Sequence, residues 1–160
     1  MAVREFYGIG GWLLGFLVVV ALFAAWNVYT LVYGMLTLPG FEAQFGPLPL
    51  DLLIEGWLFA IGRIVIPLAI LKRLIQRREA SSVRFAIAAI WLLLLALPLL
   101  KAGVDYYNFP GRPWFWSALG AELSRNLLIG VAGSWYLRDS KRVARTYPDR
   151  SKDALAEVFE

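Results

Sequence analysis

The chain has no cysteine and no histidine among its 160 residues. Disulfides, thiolate nucleophiles, Cys/His zinc sites and imidazole acid–base chemistry are thereby excluded. Charge is also scarce: Asp, Glu, Lys and Arg make up 18%, against about 25% in an ordinary soluble domain. Lys and Arg are missing altogether from the stretch between Leu38 and Leu50. No P-loop, nucleophile elbow or EF-hand spacing occurs, and Gly8, Gly10 and Gly11 are no dinucleotide fingerprint because no βαβ unit surrounds them. Apolar residues are in excess at 59%, with seven Trp, seven Tyr and ten Phe. The mean hydropathy is +0.61.

That excess is gathered into four runs, at about residues 10–36, 52–71, 85–104 and 117–137. Each is long enough, at ~1.5 Å per helical residue, to cross a hydrocarbon layer of about 30 Å. Asp51 and Ser117 stand where the N-caps of the second and fourth helices are expected. The first linker is rich in turn residues (Leu38-Pro39-Gly40, then Gly46-Pro47-Leu48-Pro49). The other runs from Tyr106 to Trp116 and is largely aromatic. Rings of this kind suit the headgroup layer.

Charge distribution sets the orientation. The net charge of +4 does not point to nucleic acid, because the basic residues flank apolar runs. Twelve of the sixteen Lys and Arg fall in the N-terminus, the middle loop (Lys72, Arg73, Arg77, Arg78, Arg84) and the tail from Arg138 onward. The positive-inside bias places these in the cytoplasm and both aromatic, turn-rich linkers outside. The expected fold is therefore an all-α, four-helix transmembrane bundle of two hairpins, N-in and C-in. It comprises one domain over 1–140 and a basic cytoplasmic tail over 141–160. Within the tail, Ala154, Leu155, Val158 and Phe159 share one side, which suggests a short amphipathic helix against a membrane or partner. A cleaved signal peptide is the rival reading of the first run. Its apolar length exceeds an h-region of about 7–15 residues, and Glu5 weakens the positive start.

The halves resemble each other: each has an outer Pro-Gly (Pro39-Gly40, Pro110-Gly111) and then a run with an early Glu and a basic end. Glu55 precedes Lys72 by 17 residues and Glu122 precedes Arg138 by 16. A parallel repeat about an axis along the membrane normal would produce this. Two unrelated hairpins under the same topological constraints would too.

Arg63 is the residue with most to explain, since a charge near mid-run is expensive without an anionic or carbonyl partner. Pro67 and Pro98 are expected to kink their helices and to free the carbonyls of Arg63 and Leu94. In the fourth run Glu122, Asn126 and Gly133 fall within about 40° of one another, flanked by Arg125 and Gly130. Arg63, Glu55, Glu122, Arg125 and Asn126 thus form a candidate intramembrane polar cluster. It can serve as interhelical pairing or as a binding or transport site, or its outer members can simply snorkel. Small residues at Gly11, Gly15, Gly62, Gly130 and Gly133 are candidate helix-packing positions.

Gly8-Ile9-Gly10-Gly11-Trp12-Leu13-Leu14 resembles the opening of the bacterial domain-of-unknown-function 2569 family of small polytopic inner-membrane proteins. Glu122 to Asn126, Trp135-Tyr136-Leu137, Ser140-Lys141-Arg142-Val143 and Thr146 resemble its closing segment. The resemblance supports the span number and brings no activity, substrate or cofactor. The expectation is a multi-pass inner-membrane protein without catalytic residues, metal or cofactor. It would meet lipid and a membrane-protein partner or a second copy, but no nucleic acid. An accessory or structural role through helix packing leads. A small carrier or channel component lined by Arg63, Glu55 and Glu122 is the alternative.

Overall fold

The computed structural model describes residues 12–108 and 111–148. Its elements are α1 (Trp12–Phe45), α2 (Leu50–Gln76), α3 (Ala80–Trp91), a π-helical turn (Leu92–Ala96), α4 (Leu97–Asn108), α5 (Phe115–Asp139) and α6 (Lys141–Thr146). Among the described residues all regular structure is helical. The segment Ala80–Asn108 is one continuous rod, and this rod and α1 are long and apolar enough to cross a membrane.

Short connections force neighbouring helices to run antiparallel. α1 packs on α2, α2 on the rod, the rod on α5, and α6 folds back against α5. The bundle therefore has two unlike ends. The basic end holds the start of α1, the 77–79 connection and α6. The aromatic end holds the 46–49 connection and residues 111–114. The buried core lies near the basic end: Leu13 and Leu17, Ile70 and Leu74, Ala86, Ala89 and Ile90, then Leu137, Val143 and Tyr147. The small side chains Ala86 and Ala89 let α3 approach its neighbours closely there.

Several boundaries differ from those expected. The first run, expected to stop at 36, continues helically to Phe45 through Pro39 and Gly40. Pro39 forfeits one hydrogen bond, to the Met35 carbonyl, but the turn after it is held by Phe41 against Phe45, ring centroids 4.8 Å apart. Gly46 ends the helix instead, with φ at +86°, a conformation that side chains with a Cβ resist. Glu42 then accepts a long hydrogen bond from the Leu48 backbone N–H at 3.4 Å. Asp51 is not the N-cap of α2; Pro49 is, and Asp51 lies in the first turn. Ser117 is likewise inside α5, where its hydroxyl donates to the Trp114 carbonyl at 2.9 Å.

Part of the tail is integral to the core. Ser140 caps α6 by accepting from the Val143 N–H, and Val143 and Tyr147 are 2% and 3% exposed. The α2 backbone turns extended at Arg77, so the Leu74 carbonyl lacks its helical donor four residues on. The Tyr147 hydroxyl donates to it at 2.8 Å. Burial pushes the Tyr147 pKa up, opposed more weakly by the Arg78 charge, so the hydroxyl stays protonated and remains a donor. The expected amphipathic segment from Ser151 lies outside the described residues.

Candidate functional site

Toward the aromatic end α2, α4 and α5 enclose a cavity of about 290 Å³ containing four charged side chains: Arg63, Lys101, Asp105 and Glu122. Each has a local reason to be there. Arg63 sits at the centre of α2 and reaches across to α5, where Glu122 is two turns in from the start. Lys101 and Asp105 are one turn apart on α4, the spacing that lets side chains meet on a helix face. Pro98, Ala102, Ala118 and Leu119 complete the wall, and Trp114 and Phe115 stand at the mouth.

The two ion pairs are unlike. Lys101 Nζ donates to both Asp105 oxygens, at 2.8 and 2.7 Å. Arg63 Nη2 meets Glu122 Oε1 only once, at 3.4 Å, with both side chains 36% exposed. Charge-assisted pairs close to about 2.7–2.9 Å and Arg prefers a two-pronged contact. The Arg63–Glu122 contact is therefore loose, and most donors of the guanidinium and one carboxylate oxygen are uncommitted to it.

Directly beneath, a backbone device fixes the rotation of α5. Pro98 has no N–H to give the Leu94 carbonyl, and the helix adopts a π turn at Leu92–Ala96. The buried Asn126 side chain donates to the released carbonyl at 3.0 Å. This joins α5 to the rod at the level where the charges begin. Pro67, by contrast, is buried inside an uninterrupted α2.

Other candidate residues distribute differently. Glu55 accepts from Asn108 Nδ2 at 3.2 Å, nearer the aromatic end than the cavity. Arg125 is exposed on α5 and does not line the cavity. Gly130 faces the Trp91 ring, 3.3 Å from where a Cβ would sit, and Gly62 faces Leu97 at 3.4 Å. Gly133 lies between Ile90 and Phe16, both at 3.8 Å. Gly15 faces open space, so none of the described helices packs on it, and Gly11 lies outside the described residues. Lys101 and Asp105 escaped the candidate cluster because the third run was expected to fade near residue 104, leaving them at its edge. Their helical spacing, three residues beyond Pro98, was the available signal.

The mouth is built from rings. Tyr106 packs on Phe115 and Trp116 (centroids 5.7 and 5.6 Å), and Phe115 meets Trp116 edge-on at 5.1 Å. The Arg112 guanidinium lies over Trp114 at 5.5 Å. Gly111, at φ +81°, makes the turn that brings α5 back beside α4. Among the described residues no three His, Cys, Asp or Glu side chains gather as a metal ion would need.

Over the described residues, fold and site together define a helical protein with two helices long and apolar enough to cross a membrane and a charged cavity between three helices. The chain belongs to the family described as protein of unknown function DUF2569, whose model matches residues 6–148. No curated protein and no solved structure matches it.

Proposed function

We propose that the chain is a multi-pass protein of the bacterial inner membrane, crossing four times with both ends and the 77–79 connection cytoplasmic. The helices that need separate support are α2 and α5, because they carry charge. On α5, Trp116 and Trp135 are 65% and 68% exposed. They stand nineteen residues apart, about 29 Å at ~1.5 Å per residue. That matches the hydrocarbon thickness of about 30 Å and the interfacial preference of Trp. Between them Leu128, Ile129 and Val131 are all more than half exposed, a surface that a soluble monomer would rarely leave to water. Trp12 and Tyr33 on α1, both exposed, stand twenty-one residues apart, about 32 Å at ~1.5 Å per residue. This double belt carries the reading. Because α2 lies between α1 and the rod, it shares their layer.

The natural absence of cysteine makes the topology testable by single-site labelling. Gln76→Cys and Ser140→Cys should react only from the cytoplasmic face, and Gln44→Cys and Arg112→Cys only from outside. Labelling of Ser140→Cys and Arg112→Cys from the same face would refute four crossings.

Within that frame the role we propose is an accessory subunit that acts by helix packing and has no chemistry of its own. Support comes from a groove of about 330 Å³ between α1 and α2, lined by Gly34, Leu31, Leu52, Gly56, Trp57 and Ala60. A Cβ at Gly34 or Gly56 would meet nothing within 4 Å, and Gly56 and Ala60 have the small-residue spacing that admits a neighbouring helix. Wild-type protein in mild detergent should carry a specific companion or form a defined oligomer, and Gly56→Leu should lose it while staying folded. A lone monomer sinks the role. The carrier reading has less support, since Ile70, Leu74, Ile90 and Leu137 are each at most 7% exposed and stand between the cavity and the basic end.

A further inference from the structure

The cavity at Arg63 has a composition that selects among ligands. It holds two cationic and two anionic side chains, so its formal charge is balanced. A bare anion entering it would meet Glu122 and Asp105 as well as the bases. A bare cation would meet Arg63 and Lys101. A ligand carrying both signs can satisfy all four, because its ends can face opposite partners. The loose Arg63–Glu122 contact at 3.4 Å is where such a ligand can insert: its anionic group would take the remaining guanidinium donors, and its ammonium the Glu122 oxygens. Lys101 and Asp105, already closed on each other at 2.7 Å, present a second pair of the same polarity on the neighbouring helix. Trp114 and Phe115 also line the cavity, and the Arg112 guanidinium already lies over the Trp114 ring at 5.5 Å. At about 290 Å³ the cavity is at the small end of ligand pockets, which run from about 300 to 1,000 Å³.

We infer that this cavity is a binding site for a small zwitterion with a primary ammonium and a phosphate or carboxylate group. The primary ammonium matters because it can donate hydrogen bonds to Glu122, which a quaternary ammonium cannot. The same chemistry is available from the headgroup of phosphatidylethanolamine and from a free molecule such as phosphoethanolamine. The inference rests on the cavity and is independent of the accessory role proposed above.

The test uses the full chain in nanodiscs of phosphatidylcholine, which lacks the primary ammonium. Phosphoethanolamine is titrated calorimetrically in one arm. In the other, phosphatidylethanolamine or phosphatidylglycerol is exchanged in and retained lipid is counted by native mass spectrometry. Saturable one-site binding is expected in at least one arm, with phosphatidylglycerol bound at least about tenfold more weakly. Binding of the lipid alone assigns the site to a headgroup, binding of the soluble compound alone assigns it to a free ligand, and both results support the inference. Arg63→Gln should weaken binding about tenfold or more, the scale of losing a charged hydrogen-bond partner. Arg84→Gln, outside the cavity, should not. If Arg63→Gln fails to fold, Lys101→Gln answers the same question, since its ion pair lies within one helix. No binding in either arm, equal retention of phosphatidylglycerol, or wild-type binding by the folded variants overturns the inference.

Discussion

The two ends of this bundle are built on opposite plans. At the basic end side chains from α1, α2, α3, α5 and the segment after it close into one apolar cluster. Toward the aromatic end the contacts that cross between helices include single polar ones, Arg63 to Glu122 and Asn108 to Glu55, around open cavities. Apolar packing is thus concentrated at the basic end, although a cavity of about 330 Å³ lined by Arg84, Arg138 and Tyr147 lies there too, and the polar contacts between helices lie toward the aromatic end. The lesson is a division along the helix axis: one half carries the apolar core, and the other carries the polar contacts between helices.

The widest test of this contrast pairs equal substitutions at opposite ends. Leu74→Ala or Leu137→Ala, both at most 1% exposed, should cost about 2–4 kcal/mol of stability, the range for a cavity left in a packed core. Leu58→Ala, 65% exposed toward the aromatic end, should stay within about 0.5 kcal/mol. Unfolding titrations in mixed micelles measure both, and equal losses would erase the contrast. Next, Gly130→Ala places a methyl 3.3 Å from the Trp91 ring and should cost about 1–2 kcal/mol through overpacking, read as a lower thermal midpoint.

Asn126→Leu probes the boundary between the halves. Loss of its bond to the Leu94 carbonyl should cost about 1 kcal/mol, the upper part of what such bonds contribute between membrane helices. In a Pro98→Ala background the restored backbone N–H can serve that carbonyl, so the effect of Asn126→Leu should shrink. An unchanged effect would show that Asn126 does not act through Leu94. The smallest effect is expected for Tyr147→Phe, somewhat under 1 kcal/mol for one neutral hydrogen bond. Here pH adds a second reading. Because the folded pKa of Tyr147 lies above the ordinary value near 10, its contribution is intact below pH about 10 and is lost as pH rises through the higher folded value. Alkaline loosening of α6 in wild type but not in Tyr147→Phe, followed by proteolysis near Ser140, is the outcome that checks it.

Much of the helical plan was legible because apolar runs and their basic flanks are one-dimensional signals. Arg63, Glu122 and Asn126 stood out for the same reason, as polar groups inside such runs. Pro98 even announced the freed Leu94 carbonyl. What could not be read was who answers: whether Asn126 or another donor meets that carbonyl depends on the rotation of α5, which packing sets. For the same reason the two glutamates, alike in depth by sequence, take unlike partners, Arg63 for one and Asn108 for the other. The Pro39-Gly40 pair misled in the opposite direction, since turn residues lower helical propensity without forbidding a helix, and only Gly46 with its positive φ ends α1.

The position of Tyr147 has a consequence for assembly in time. It follows every other residue of the core cluster in the chain, and synthesis delivers a polypeptide from its N-terminus. The helices before it are therefore made before the Leu74 carbonyl can receive the Tyr147 hydroxyl. The core is completed only when the segment after α5 folds back, so its closure cannot precede synthesis of the bundle.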